Sequence, residues 1–235
     1  MDARARLAVW LFTAFAVVLI LAVALAPAVL AWRLRLAVTP SLAGPARVSV
    51  HVDAPPWSII TGRLDAVTLE ARRAMAGQLP LERLTLRLEE VRVDPARLWR
   101  GEGLPLVQVG RGEGEIILTQ EDLRRFLVSA RGVQQASLRL DGGAVTVEGD
   151  VRVGVVDLRM RLEGRLVPAS PTTVDLYVQT LTVSGVELPR EIGSVLVSRL
   201  NPLISLDGLP LPLWIASVAV EGGEVRVRVG VGERS

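Results

Sequence analysis

The side chains that could perform chemistry in this 235-residue chain are few in kind. Histidine occurs once, at His51, and both cysteine and lysine are absent. A Ser–His–Asp triad needs a histidine beside its nucleophile, a thiolate site needs cysteine, and a Schiff base needs lysine. His51 falls on the polar phase of an alternating run, which is typical of an exposed residue rather than a catalytic base. We therefore expect no enzyme and no cofactor.

Four acidic residues could be assembled into a carboxylate site: Glu89, Glu90, Asp94 and Glu102. They are scattered along a strand-like run and a following turn, and neither histidine nor an ordered ligand spacing accompanies them. This distribution favours a solvated face over a metal centre.

Glycine alternates at positions 110, 112 and 114. The spacing does not match G-x-G-x-x-G, and Glu113 and Glu115 would repel a phosphate. Alternate glycines instead remove the side chains from one face of a strand, so that another group can approach the backbone closely. We expect a packed helix there, with a bound ligand as the alternative.

The elements that must position these residues are mostly strands. Apolar residues alternate with Arg and Glu at period two, which indicates antiparallel sheet with one buried and one solvated face. The apolar members of these runs are Val48/Val50/Val52, Val67/Leu69/Ala71, Leu84/Leu86/Leu88, Leu138/Leu140, Val145/Val147, Leu158/Met160/Leu162, Val174/Leu176/Val178 and Val225/Val227/Val229.

The alternation changes phase within three runs. It moves from Val155 to Val156 inside a continuous run from Val151 to Val167, from Leu88 to Val91, and from Val178 to Leu181. A β-bulge can absorb such a change, and bulges bend and twist a sheet. We therefore predict long, bulged strands that form one strongly curved sheet.

Two helices are predicted for this sheet to enclose. Thr119 and Asp122 have the spacing of a capping box, and an apolar stripe of Leu123, Phe126, Leu127 and Ala130 follows. The second helix begins at Pro189, ends at Asn201-Pro202, and carries the stripe Ile192, Val195, Leu196 and Leu200. Two-residue hairpin turns are predicted at Asp141-Gly142-Gly143 and Glu221-Gly222-Gly223.

The amino-terminal segment from Leu7 to Trp32 contains no charged side chain. As a helix it would extend about 39 Å, enough to cross a hydrocarbon core of about 30 Å. A cleaved signal peptide is the alternative, but the apolar run is longer than the usual signal segment. The predicted organisation is an anchor over residues 1–36, a linker over 37–45 and a domain over 46–235, with that domain outside the cytoplasm.

Charge excludes one class of partner. The 27 basic residues nearly balance the 25 acidic ones, so the domain has no electrostatic footprint for nucleic acid.

Trp57 and Trp214 each lie beside proline near the end of a strand-like run, with Ile60 close to the first. These positions are compatible with packing in the core. They are also compatible with an amphipathic edge of the domain that contacts lipid or the membrane.

Several short motifs follow one another in a characteristic order: TGRLDAVTL from Thr61, LTLRL from Leu84, VRVDPARL from Val91, GEGE from Gly112 and TQEDL from Thr119. Together they resemble the DUF2993 family, the LmeA-like phospholipid-binding proteins of bacterial envelopes. The resemblance extends roughly from residue 47 to the carboxyl terminus. It implies a phospholipid-binding domain outside the cytoplasmic membrane, with a TULIP-like α+β architecture and no catalytic residues.

We therefore expect a single-pass, membrane-anchored protein that binds phospholipid or glycolipid without catalysis and supports envelope assembly or maintenance. An envelope scaffold that binds a partner protein, with no lipid ligand, is the alternative. In the lipid hypothesis, acyl chains lie between the apolar sheet face and the helix stripes, and arginines at the rim contact phosphate. The candidate lipid contacts are Trp57, Ile60, Gly112, Gly114, Leu123, Phe126, Leu127, Ile192, Leu196 and Trp214, and the candidate phosphate contacts are Arg63 and Arg125.

Overall fold

The computed structural model describes residues 31, 47–55, 57–58, 61–76, 78–100, 106–131, 133–153, 156–189, 197–198, 200–207, 209 and 211–232. Within these ranges no helix has both the length and the apolar character needed to cross a membrane. The predicted span from Leu7 to Trp32 lies outside the described residues except for Ala31. That residue is helical and packs against the hydrophobic core.

Besides helical residues at 31, 57–58, 197–198 and 200, the described chain forms twelve strands and two longer helices. In chain order they are β1 (Arg47–Asp53), β2 (Arg63–Ala76), β3 (Leu79–Val93), α1 (Pro95–Arg100), β4 (Leu106–Thr119), α2 (Gln120–Arg131), β5 (Gln134–Asp141), β6 (Ala144–Val153), β7 (Val156–Pro168), β8 (Thr173–Val183), β9 (Val186–Glu187), β10 (Ile204–Ser205), β11 (Leu213–Glu221) and β12 (Glu224–Val231).

The strands divide into two six-stranded sheets rather than the single sheet that we expected. Sheet 1 has the order β1-β2-β3-β4-β12-β11, and sheet 2 has the order β10-β8-β7-β6-β5, with β9 also paired to β8. All strand pairs between described residues are antiparallel. Helix α2 contacts β5 of sheet 2 and β3 and β4 of sheet 1, so it joins the two sheets. The result is a sheet-dominated α+β fold.

The predicted alternation is confirmed by burial. In β1, Val48 and Val52 are buried while Arg47, His51 and Asp53 are exposed. On both sheets the buried residues are the apolar ones that face inward. Together with the apolar residues of α2 they form one hydrophobic cluster. Because the apolar face of each sheet must leave water, this burial fixes the register of the long strands.

The three changes of phase have three different structural causes. The run from Val151 to Val167 is not one bulged strand, as predicted, but the hairpin of β6 and β7, in which Val153 pairs with Val156. In β3 the change from Leu88 to Val91 occurs at Glu90, whose positive φ of 54° turns the following side chain back to the core.

The third phase change is the predicted bulge. Glu163 of β7 pairs with Thr180 of β8, whereas the next residue, Gly164, pairs with Val178. Gln179 is therefore the extra residue. Its insertion keeps both Leu176 and Leu181 buried.

Both predicted hairpin turns are present. Asp141 pairs with Ala144, and Glu221 pairs with Glu224, so each loop contains two glycines. All four of these glycines have positive φ, which a residue with a side chain rarely adopts.

Helix α2 begins at the predicted capping box. The backbone N–H of Asp122 donates to Thr119 Oγ1 at 3.1 Å, and the N–H of Thr119 donates to Asp122 Oδ2 at 3.0 Å. The second predicted helix lies mostly outside the described residues. Its described part, Val197, Ser198 and Leu200, is helical and ends before Asn201.

We expected the alternating glycines of β4 to make room for a helix. They instead make room for the adjacent strand β3. A Cβ at position 114 would lie 2.5 Å from the Thr85 carbonyl oxygen and would overlap Leu86 Cδ2. A Cβ at position 112 would lie 2.9 Å from Leu88 Cδ2. The leucines of β3 therefore occupy the space that the glycines leave.

Candidate functional site

A cleft of about 350 Å³ lies along the free edge of β8. We call it the β8 cleft. Most of its lining is apolar and comes from β7, β8 and three later residues of the chain. The lining residues are Val167, Ala169, Asp175, Leu176, Tyr177, Val178, Gln179, Leu181, Leu188, Val197 and Asn201. Its volume falls in the range of small-molecule sites, about 300–1,000 Å³.

Among the described residues, β8 is paired with other strands on its outer edge only near its two ends, and the cleft lies between them. Strand β10 pairs with residues 173–174, and β9 pairs with residues 182–183. Between them, the Asn201 side chain substitutes for a strand: Oδ1 accepts from the Leu176 N–H at 2.9 Å, and Nδ2 donates to the Leu176 carbonyl at 3.3 Å. The Leu188 N–H then donates to the Leu181 carbonyl at 2.8 Å. The cleft lies along the interval from Leu176 to Leu181.

The bulge at Gln179 lies along the cleft. It occurs beside Gly164 of β7, where a Cβ would overlap the Tyr177 carbonyl oxygen, so glycine permits the close approach of β7 and β8. Leu176 and Leu181 border the cleft but are only 1% and 4% exposed, so its accessible apolar surface comes from half-buried residues such as Val178, Leu188 and Val197. The bulge thus lies in the part of β8 that borders the cleft.

The rim of the cleft is polar. Tyr177 is 56% exposed, and Gln179 is also exposed, while Asp175 and Asn201 are half-buried. Arg165 lies directly opposite Tyr177 on β7 and is exposed on the same face of the sheet. An apolar lining with a polar border suits an amphiphile, because each part of such a ligand meets a matching surface.

A second cavity, of about 570 Å³, brings together three of the predicted lipid contacts: Gly112, Gly114 and Trp214. It opens on the charged outer face of sheet 1, where Arg87, Glu113, Glu115 and Arg228 also line it. Trp214 lies over Gly230 of β12, where a Cβ would overlap the indole ring. The half-buried Trp214 is thus on the outer face of the sheet and not in the interior.

The predicted contacts on α2 are part of the packed interior. Leu123 and Leu127 have no exposed surface, and Phe126 is 7% exposed. Arg125, a predicted phosphate contact, donates from Nη2 to Asp122 Oδ1 at 2.6 Å. This arginine therefore already neutralises a buried carboxylate at the start of its own helix.

An ion pair on the same helix turn shifts two pKa values. The Arg124 guanidinium donates to both carboxylate oxygens of Glu121 at 2.7 Å. These hydrogen bonds lower the pKa of Glu121 and raise the pKa of Arg124. Both side chains are solvent-exposed. This pairing concerns the surface of α2 and not the cleft.

The remaining predicted contacts are separate from the cleft. Trp57 is helical and 73% exposed shortly after β1, so core packing is wrong for this residue. Arg63 is exposed at the start of β2, opposite Arg92. Ile60, Ile192 and Leu196 lie outside the described residues.

Sequence analysis missed most of the residues that line the β8 cleft. Two local signals were available: the phase change from Val178 to Leu181, and the single tyrosine of the chain at Tyr177. The contribution of Asn201 had no local signal, because its partner Leu176 lies 25 residues earlier.

The described chain is an antiparallel, sheet-dominated α+β domain with a partly apolar cleft at one strand edge. The model of the LmeA-like phospholipid-binding family matches residues 18–230, so the chain belongs to that family. This match confirms the resemblance that the ordered motifs indicated. Searches of curated proteins and of solved structures found no match.

Proposed function

We propose that this protein binds a phospholipid without catalysis, with part of an acyl chain in the β8 cleft. The observation that carries the proposal is the apolar cleft at the edge of β8, where the half-buried Val178, Leu188 and Val197 are bordered by polar groups. Membership of a phospholipid-binding family supplies the class of ligand.

Arg165 is the phosphate contact that we propose for this site. Arg165 is exposed on β7 opposite Tyr177, which lines the cleft, so a headgroup that leaves the cleft past Tyr177 would approach it. The cleft lining itself contains one charged residue, the acid Asp175, so the phosphate needs a partner from outside the lining. Arginine suits this role because its planar guanidinium can donate two hydrogen bonds to one phosphate.

We further propose that the domain works outside the cytoplasm at the surface of the membrane to which it is anchored. The uncharged segment between Leu7 and Trp32 is long enough to span the bilayer. An acyl chain gains about 0.8 kcal/mol per buried CH₂, and the bilayer offers the same gain as the cleft. Transfer between them is therefore nearly balanced, which suits reversible loading in envelope maintenance.

Photo-crosslinking in vesicles tests the site. The full chain is reconstituted with a phospholipid that carries a diazirine in its acyl chain, irradiated and digested, and the labelled peptides are mapped by mass spectrometry. We expect labels in two places: the apolar amino-terminal segment, which contacts bulk lipid, and the peptides that contain β8 and residues 188–201.

A cleft-filling variant and a matched control complete the test. Val178→Trp should abolish the label in the β8 peptides and leave the amino-terminal label unchanged, because the indole occupies the cleft. Val107→Trp places the same side chain at a position that is 67% exposed on β4 and should change neither label. Labelling of the β8 peptides that persists in Val178→Trp, or that is absent from the unmodified chain, contradicts the proposal and favours a scaffold without a lipid ligand.

A further inference from the structure

Strand β1 is an open edge of sheet 1. Over its full length from Arg47 to Asp53 it pairs with β2 on one side, and no described residue pairs with its other side. Its seven residues pair with β2 without a register shift. A regular, unpaired edge exposes backbone donors and acceptors to any further strand.

The other sheet edges in the described part of the chain are interrupted. Strand β11 has a bulge between Ile215 and Ser217, and β5 has one between Gln134 and Ser137. At the remaining edge, β9 and β10 contain two residues each. Bulges and short edge strands are devices that prevent edge-to-edge pairing, and β1 contains neither a bulge nor a proline. Among the described edges, β1 therefore offers the longest uninterrupted backbone for pairing with a further strand.

The sequence of β1 is complementary to itself in antiparallel register. When two copies are centred on Val50, Arg47 of each copy lies opposite Asp53 of the other, and Val48 lies opposite Val52. Directly opposite residues of an antiparallel pair project from the same face. The exposed Arg47 and Asp53 would therefore form two ion pairs on the polar face, and the valines would continue the apolar face.

We propose that β1 pairs with β1 of a second copy of this chain, about a two-fold axis at Val50. The two copies of sheet 1 then form one continuous antiparallel sheet of twelve strands. Val50, which is half-buried in the single chain, lies at the centre of the contact. This isologous arrangement is closed, so it produces a dimer and not a filament.

The contact is small for a stable complex. A pair of seven-residue strands buries less than the roughly 1,200–2,000 Å² of standard interfaces, so we expect a dimer that depends on protein concentration. Anchoring of both copies in one membrane would raise their effective concentration. The experiments therefore use the full chain in vesicles or in detergent micelles.

Cysteine crosslinking tests the register, and the chain contains no native cysteine to confuse the result. In the proposed dimer Ser49 of one copy lies opposite His51 of the other, with Cβ atoms about 4.5–5.5 Å apart. Two copies of position 49 would be diagonal neighbours, about 7–8 Å apart. Oxidation of a mixture of Ser49→Cys and His51→Cys chains, distinguished by mass tags, should therefore produce mainly the mixed disulfide dimer.

Each single cysteine variant oxidised alone is the matched control and should crosslink several-fold less. Equal crosslinking of the mixture and of the controls, or none in either, overturns the proposal. The absence of crosslinking in both the mixture and the controls is the result expected if a segment of the same chain covers β1.

Charge reversal gives an independent readout by sedimentation velocity. Arg47→Asp alone and Asp53→Arg alone each place like charges opposite one another twice in the dimer. Each should weaken self-association several-fold to about tenfold. The double variant Arg47→Asp/Asp53→Arg restores both pairs and should restore dimerisation. A double variant that dimerises no better than the single variants overturns the assigned register.

Discussion

The requirement for glycine at position 114 comes from the neighbouring strand. Gly114 pairs with Leu86 of β3 and with Val229 of β12, so both of its neighbours carry bulky side chains toward the core. The Thr85 carbonyl and the Leu86 methyl group already occupy the place of a Cβ. The glycine is therefore a packing residue of sheet 1, and the close approach of β3 accounts for the absence of a side chain at this position.

Gly114→Ala should destabilise the domain. An added methyl group would force β3 or Leu86 to move, and overpacking of this kind costs about 1–3 kcal/mol. For a protein of this size the melting temperature should fall by roughly 2–4 °C per kcal/mol, which calorimetry measures. Glu113→Ala, at the adjacent exposed position, is the control and should change the free energy of unfolding by less than about 0.5 kcal/mol. If Gly114→Ala and Glu113→Ala have the same melting temperature, the assignment of a close contact between β3 and β4 at this glycine is wrong.

At the scale of elements, helix α2 depends on the buried carboxylate at its first turn. Asp122 is 2% exposed and accepts from the Thr119 N–H, the Thr119 hydroxyl and Arg125. A buried carboxylate is tolerated only when it is paired and hydrogen-bonded, and these three donors meet that requirement. Because α2 contacts both sheets, its cap also stabilises their association.

Loss of the cap should therefore lower the stability of the whole domain. Thr119→Ala removes the hydroxyl that donates to Asp122 Oδ2 and accepts from the Asp122 N–H, and we expect a loss of about 0.5–2 kcal/mol in denaturant unfolding. Thr119→Ser retains the hydroxyl and should recover most of that stability. A serine variant as unstable as the alanine variant would show that the threonine methyl group, and not the cap, is what stabilises α2.

The sequence predicted the faces of the strands better than their connections. Alternation identified the buried valines and leucines because burial acts on each strand locally. It missed the turn between β6 and β7 because the valines at 151, 153, 155 and 156 follow one another in the sequence as one apolar run, which indicates a single bulged strand as readily as a hairpin. The division into two sheets depends on pairing between distant strands, which no local pattern contains.

The candidate site was predictable to a similar, partial extent. The phase change at Val178 correctly indicated a bulge, and this bulge lies in the part of β8 that borders the cleft. The cleft wall requires the chain to return so that Asn201 bonds to Leu176, a contact that is not visible in either segment alone. The α2 stripe was recognised as apolar, but periodicity does not separate a core face from a ligand-binding face.

At the scale of the whole molecule, the amino-terminal segment and the domain belong together. The family match begins at residue 18, within the uncharged segment, and Ala31 near the end of that segment packs against the core of the domain. A domain attached this closely to a membrane-spanning helix would hold its cleft near the bilayer. This arrangement would shorten the path of an acyl chain between membrane and cleft.

We therefore predict that the mature protein retains residues 1–32 and stays in the membrane fraction after high-salt and carbonate washes. Protein sequencing should find the original amino terminus, because the apolar run is long enough to span the bilayer. Leu19→Arg places a charge near the middle of the predicted span, which costs about 2.5–3.5 kcal/mol on insertion scales, and it should shift protein into the wash. Leu42→Arg, in the predicted linker, is the control and should not. An amino terminus near Ala28 or Trp32 would instead show a cleaved signal peptide and a secreted domain.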